Sequence, residues 1–270
     1  MKKKNLTGQR SLPRSSKWLS LCASGLMFSF IAACGSGSEN NSNDKKTAET
    51  DTITVNEGDT ESFQELGVIN IKEGQWEKYL STMQTNIANS RQEPENLSFT
   101  LYQPEDGKQQ ALWFERFENK AAYDKHQEYD YLKAVLEVVG EVADGEITSI
   151  ALKEVPEVPA AVVTPVPAKD QSKRNVIVLF DVKPEKRQAF IDAIAEVTPH
   201  ARQALGNLGF NIFQYADDPN KFALIEGWES VAVHEAHLEQ DYSKKLDAAI
   251  EGIFVSNPMD TRWLAKDISQ

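Results

Sequence analysis

Residues 222–242 read FALIEGWESVAVHEAHLEQDY and place Glu226, Trp228 and His237 within a short span. Residues 111–131, ALWFERFENKAAYDKHQEYDY, place Glu115, Phe117 and His126 at the same spacing. These residue types suit proton transfer from a small aromatic molecule. Histidine is the natural base near neutral pH. A carboxylate beside it could fix its tautomer or hold a substrate hydroxyl, and Trp228 or Phe117 could line an aromatic pocket. Each His lies four residues after Ala122 or Val233, a helical spacing that turns it toward the layer between helix and sheet. The competing reading is structural. His126 and His237 would then lie on the helix surface beside Asp130 and Asp241, Glu115 and Glu226 would bind Arg91 and Arg202 or the backbone, and the aromatics would be core. Arg91 and Arg202 fall near the end of a first helix, where its dipole alone favours a cation, and are not assigned a catalytic role. His234 has Tyr123 at its counterpart position and is given none.

The two stretches are parts of a duplication. Sliding the chain by 111 residues aligns 91–131 with 202–242 without a gap, and 14 of 41 positions are identical, far above chance. Asn96/Asn207, Phe99/Phe210, Glu115/Glu226, His126/His237 and Tyr131/Tyr242 are among them. Each copy begins with a short apolar run, ELGVINIK or NVIVLFDVK. A helix follows, with apolar positions three and four apart at Tyr79, Leu80, Met83 and Ile87, or Phe190, Ile191 and Ile194. NLSFTLYQ and NLGFNIFQY alternate as half-buried strands, PEDGKQ and ADDPNK are turns, and a hairpin partner comes next. A second helix carrying Leu132, Val135, Leu136 and Val139 precedes a last strand. The order is βαββαβ, the ferredoxin-like motif. With helices on one side only, each sheet leaves a face to be covered. The expected fold is therefore α+β, with two tandem ferredoxin-like domains packed sheet to sheet within one chain.

The rest of the chain sets boundaries. Residues 1–33 carry cations at Lys2, Lys3, Lys4, Arg10, Arg14 and Lys17 before an apolar run from Trp18 to Ala33. That run is short for a membrane span and has the layout of a secretory signal. Ile31-Ala32-Ala33-Cys34 resembles the bacterial lipobox, which implies a signal peptide over 1–33 and a lipid anchor on Cys34. Residues 34–62 are polar and read as a disordered tether. Domains are expected at 63–155 and 173–268, joined by a Pro-rich extended linker over 156–172. In lipoproteins of Gram-negative bacteria an Asp after the Cys favours the inner membrane; Gly35 stands here, which leans the expectation toward the outer membrane. Without Cys22, Cys34 is the one remaining cysteine, so neither an internal disulfide nor a Cys-ligated metal is expected. Leaving out the six cations of 1–33 takes Lys+Arg from 29 to 23 against 41 Asp+Glu, a formal charge of −18. Such a surface repels phosphate backbones, and no nucleic-acid partner is expected. No metal-ligand spacing, Gly-rich phosphate loop or Ser/His/Asp signature is present.

SRQEPENLSFTLYQ…ALWFERFENKAAYDKH and ARQALGNLGFNIFQYADDPNKFALIEGWESVAVHEAH resemble the antibiotic biosynthesis monooxygenase domain, including its quinol-monooxygenase-like members. The shared pattern is an Arg, an Asn-Leu strand, an acidic turn, then Glu, an aromatic and a His. The resemblance implies a dimeric α+β barrel, here built as a pseudo-dimer from one chain. It also implies oxidation of a small aromatic or quinol substrate by O2 without metal or flavin. On that reading His126 and His237 are the catalytic bases, and Glu115, Glu226, Phe117 and Trp228 bind substrate. Phe117 in place of Trp, and Glu95 in place of the commoner Gly, depart from the pattern in the first copy. Two alternatives stand beside this: a non-catalytic binding or scaffold lipoprotein that keeps the fold, and haem binding or degradation. Related barrels use Asn, Trp and His for haem, and Asn175, Trp228 and His237 are the residues available here.

Overall fold

Alternation of side chains across each strand decides which residues reach the functional layer. In the computed structural model, which describes residues 61–162 and 173–270, the first repeat runs β1 (Phe63–Asn70), α1 (Trp76–Ser90), β2 (Asn96–Pro104), β3 (Gln110–Phe117), α2 (Lys120–His126), α3 (Asp130–Val142) and β4 (Thr148–Glu154). The second runs β5 (Arg174–Asp181), α4 (Arg187–Gln203), β6 (Asn207–Tyr215), β7 (Lys221–Trp228), α5 (Val231–Leu238), α6 (Asp241–Ala249) and β8 (Arg262–Asp267). The single helix expected after each hairpin is thus two. Asn119 and Ser230 cap the first of the pair by accepting the N–H of Ala122 and Val233. Tyr129 and Gln240 then adopt extended backbone, and Asp130 or Asp241 opens the next helix. The break resets the helical phase. Leu132 and Val135 still face the core, but Leu136, expected on the same stripe, is 57% exposed.

The eight strands close into one barrel in the order β1-β3-β2-β8-β5-β7-β6-β4. Each repeat supplies a ferredoxin-like sheet, and the edge strands of one pair with those of the other. The two seams have the same register: Tyr102 faces Asp267 and Pro104 faces Ala265 in one, and Phe213 faces Glu154 and Tyr215 faces Leu152 in the other. Hydrogen bonds from Ile268 N–H to Leu101 O and from Ala216 N–H to Ala151 O extend them. Closure removes the unpaired edges that each sheet would otherwise expose.

Inside the barrel, Leu66, Leu112, Phe114 and Leu152 of the first repeat meet Ile177, Phe213, Ile225 and Ala265 of the second. The Phe114 and Phe213 rings lie 5.3 Å apart. The outer faces pack under helices. Phe99, Leu101 and Ala111 lie beneath Tyr79, Met83 and Ile87 of α1, and Phe210, Ile212 and Phe222 beneath Phe190, Ile191 and Ile194 of α4. Each strand is therefore apolar on both faces, one for the barrel interior and one for the helix layer.

The inter-repeat connection is docked where it is described. Val155 and Val158 are buried in the second repeat's helix-side core. The Asn211 amide exchanges two hydrogen bonds of 3.0 Å with the main chain of Val162. Residues 163–172, the expected signal peptide 1–33, Cys34 and the tether up to residue 60 lie outside the described residues.

Candidate active site

In the first repeat the site is assembled from β1, β3, α2 and the connection after α1. Glu65 and Glu115 face each other directly across β1 and β3, on the outer face of the sheet. A like-charge pair at that position is unfavourable, and Glu115 is also buried. Burial first, then the charges of Glu65 and Glu93, hold its carboxyl well above the usual carboxylate range. Glu65 has other partners: the Tyr123 hydroxyl donates to it at 2.8 Å and the Trp113 indole N–H at 3.3 Å. The Trp113 ring lies over Gly67, where a Cβ would fall 1.9 Å from it. Glycine is what lets the indole fold down beside Glu65.

His126 is fully buried at the end of α2, on the face shared with Ala122, as the spacing implied. It does not pair with Asp130, whose side chain is wholly exposed. Its Nδ1 lies 2.7 Å from Glu93 Oε1, which also accepts the Tyr131 hydroxyl at 2.8 Å. That contact orients the ring, and in the tautomer with the proton on Nδ1 it leaves a lone pair on Nε2. Nε2 has no hydrogen-bond partner among the described residues and stands 3.6 Å from Glu115 Oε2, which also has none there. A carboxylate-backed imidazole thus faces a carboxyl whose burial favours its protonated form. One can take a proton, and the other can donate a hydrogen bond to the anion that results. The Phe117 ring closes one side at 5.0 Å from His126, centroid to centroid.

The second repeat keeps the frame and changes the chemistry. Trp228 is fully buried and stacks tilted on His237 at 4.3 Å, and its indole N–H donates to Glu226 at 2.8 Å. His237 Nδ1 meets the Tyr242 hydroxyl at 2.8 Å. The positions of Glu65 and Glu93 are held by Val176 and Ala204, so no carboxylate backs this imidazole through Nδ1. Burial lowers His237 to about 4. Burial, then Arg174 and His237, lower His234 to about 4. Burial raises Glu226 from 4.5 to about 7, against the opposing pull of the Trp228 N–H and Arg262.

Every catalytic or substrate-binding residue expected from the sequence thus lies in the two outer layers, one set per repeat. Two expectations are corrected, and one residue given no role is found beside the site. Arg91 and Arg202 do not pair with Glu115 and Glu226: each Nε donates to a β-strand carbonyl, Phe99 or Phe210, clamping α1 to β2 and α4 to β6. That structural clamp accounts for their recurrence. His234, given no role, is buried beside Trp228, and its Nδ1 has no hydrogen-bond partner among the described residues. Asn175 cannot join Trp228 and His237 as a haem triad, because it pairs with Gly227 and faces the barrel interior, on the opposite side of the sheet. Glu93 and Glu65 were missed because they have no counterpart in the second repeat. Tyr131 and Tyr242 carried a usable signal, since they recur.

Known proteins resemble this chain in sequence and in fold. The sequence profile described as antibiotic biosynthesis monooxygenase matches residues 52–138 and 174–249. The chain belongs to that family. A Bacillus subtilis protein described as "Putative monooxygenase YcnE" is 33% identical over 58 residues, spanning 22% of this chain and 61% of its own length. Among solved structures, a "Putative monooxygenase" from Fusobacterium nucleatum superposes with a TM-score of 0.70 at 17% identity, covering 77% of this chain and 93% of its own. One from Lactobacillus acidophilus gives 0.63 at 19% identity, with the same coverage. Since 77% exceeds what either repeat can supply, the likeness in fold extends over both.

The burial of Glu226 has a measurable consequence. The unfolded chain releases this proton near 4.5 and the folded chain only near 7. Between those values the folded state is increasingly disfavoured as pH rises, and above about 7 the penalty is constant. Glu226→Gln removes it. The variant's stability gain over the parent should grow from pH 4.5 to 7, reach roughly 3 kcal/mol, and then level off. Chemical denaturation across that range checks this, and a gain independent of pH would contradict it.

Proposed function

We propose that the protein is a cofactor-independent monooxygenase acting on a small electron-rich phenol or quinol, with the first repeat carrying the chemistry. The observation that supports this most is the free Nε2 of His126, backed by Glu93 through Nδ1 and faced by Glu115. His126 takes the phenolic proton, and the Glu115 hydroxyl stabilises the phenolate. The phenolate passes one electron to O2, and the resulting radical and superoxide combine at the ring carbon. Loss of water from the hydroperoxide leaves a carbonyl. The attacked carbon carries a hydrogen, which leaves with the distal oxygen as water; the other oxygen atom stays as the carbonyl, and the substrate supplies all four electrons that reduce O2. Glu115 is placed to protonate the departing oxygen. In the second repeat, His237 is held neutral and Glu226 titrates near neutrality, so Glu226 is the base if that site turns over.

His126 is completely enclosed. Substrate entry therefore requires α2, a helix of seven residues, to move aside. The same enclosure favours a second reading, in which the chain is a non-catalytic binding or scaffold lipoprotein. Oxygen uptake separates them. With reduced quinones and anthrones under air, the parent should consume O2 above the blank. His126→Ala and Glu93→Gln should lower the rate about 100-fold or more, and His237→Ala far less. No uptake with any of these substrates, or a rate indifferent to His126→Ala, would leave the non-catalytic reading.

We further propose that Cys34 anchors the protein by lipid to the bacterial cell envelope, at the outer membrane. The lipobox-like Ile31-Ala32-Ala33-Cys34 and the polar stretch after it support this. Cys34→Ser should move the protein from the membrane fraction to the soluble fraction; a variant still held at the membrane would refute the anchor.

A further inference from the structure

We propose that Glu65 is a positioning residue of the first-repeat site: anchored by Trp113 and Tyr123 opposite Glu115, it keeps the proton of this carboxyl pair on Glu115, where the oxidation uses it. This role rests on the one proposed above for the Glu115 hydroxyl, as donor to the phenolate. Strand alternation puts both carboxyls on the outer face of the sheet, and the register sets them directly opposite each other on β1 and β3, roughly 5 Å apart at Cβ. On its other side Glu115 faces Phe99 of β2, whose ring offers it no hydrogen bond. The two carboxyls differ in what reaches them. Glu65 is half-buried; its Oε2 accepts the Tyr123 hydroxyl at 2.8 Å, and its Oε1 accepts the Trp113 indole N–H at 3.3 Å. Glu115 Oε2 receives no hydrogen bond among the described residues. Donors favour the charged form of the carboxylate they reach, so of the facing pair Glu65 holds the charge and Glu115 the proton. Burial of Glu115, followed by the charge of Glu65, pushes the same way.

The other titratable and charged groups of this layer are engaged elsewhere or shared. His126 Nε2, from α2, stands 3.6 Å from Glu115 Oε2. Glu93, from the connection after α1, is turned to His126 Nδ1 and the Tyr131 hydroxyl. Arg91, at the end of α1, spends Nε and Nη2 on Phe99 O. Tyr123 stays a phenol, since burial and then the charges of Glu65 and Glu115 raise it. Two facing carboxyls under a helix are costly, and packing does not require them. The second repeat shows what packing accepts in the same frame. Val176 stands in the place of Glu65, directly opposite Glu226, and Val178, Leu224 and His234 replace Gly67, Trp113 and Tyr123. All four members of the anchor change together because each needs the next: a Cβ at position 67 would fall 1.9 Å from the Trp113 ring, and the indole and the phenol are what hold Glu65. A costly arrangement maintained beside an enclosed base marks a functional group rather than a packing one.

Infrared spectroscopy of the full chain across pH tests this, because the C=O stretch of a protonated carboxyl stands apart from the bands of a carboxylate. The band that Glu115→Gln removes belongs to Glu115, and the pH at which it is half lost is the readout. In Glu65→Gln that midpoint should fall by about one unit or more. Glu65→Val, which brings in the residue the second repeat carries there, should lower it likewise. Glu65→Asp keeps the charge and should lie closer to the parent than to Glu65→Gln. A residue that only packs would alter stability and leave the midpoint in place. An unmoved midpoint in Glu65→Gln, a fall in Glu65→Asp as large as in Glu65→Gln, or no band lost in Glu115→Gln would overturn the role. If Glu65→Gln fails to fold, Glu65→Val decides by the same readout. No substrate is needed, so the two proposals fail separately: a lowered midpoint without oxygen uptake keeps the positioning role and refutes the oxidation, and oxygen uptake with an unmoved midpoint does the reverse.

Discussion

Each repeat makes a sheet with two apolar faces but brings helices for only one of them, and burial of the second faces against each other is the constraint on which the molecule rests. The magnitudes show which contribution dominates. Interior side chains such as Leu66, Phe114, Ile177 and Phe213 contribute roughly 1.5–3 kcal/mol apiece when fully buried. A seam hydrogen bond such as that from Ala216 to Ala151 contributes roughly 0.5–1.5 kcal/mol net. Burial drives the halves together, and the seams set the register in which they meet. That register then dictates location: the titratable clusters lie outside the barrel, under helices, and a small cavity lined by Thr100, Phe114 and Asn175 lies inside.

Duplication supplied two copies of one frame, and divergence gave them different electrostatics. Both copies keep a Glu at the end of the second hairpin strand, an aromatic two residues on and a His at the end of a short helix. The first copy adds Glu65 and Glu93 and so concentrates negative charge around an imidazole. The second has Val176 and Ala204 there and relies on Tyr242 and Trp228. A carboxylate behind Nδ1 raises the basicity of the far nitrogen; a phenol does so much less. The copy that departs further from the family pattern in its aromatic, with Phe117 for Trp, is thus the one whose imidazole is backed by a carboxylate.

The fold was legible because its signals were periodic. The 111-residue offset, the alternation in β2 and β6 and the three-four spacing in α1 and α4 all reflect packing that every strand or turn of helix repeats. The split of the last helix was not legible, since Gln127–Tyr129 contains neither Gly nor Pro and the break comes from where α3 must lie on α1. Of the site, the recurring residues were found, and those unique to one copy, Glu65 and Glu93, were not. Their partners come from distant parts of the chain. Glu93 meets His126 only because Arg91 clamps the end of α1 to β2, and no local pattern encodes that contact.

The claim beneath all of this is that the two repeats are one folding unit closed at both seams. Native-state amide hydrogen exchange reads it directly. Amides at the seams, those of Glu105, Ala216 and Ile268, donate across them, and they should exchange only through global unfolding, with the same free energy as amides in the middle of β3 and β7. Seam amides that exchange through a lower-energy opening, while each repeat stays protected, would mean that the halves come apart as separate domains, and the shared barrel would not stand.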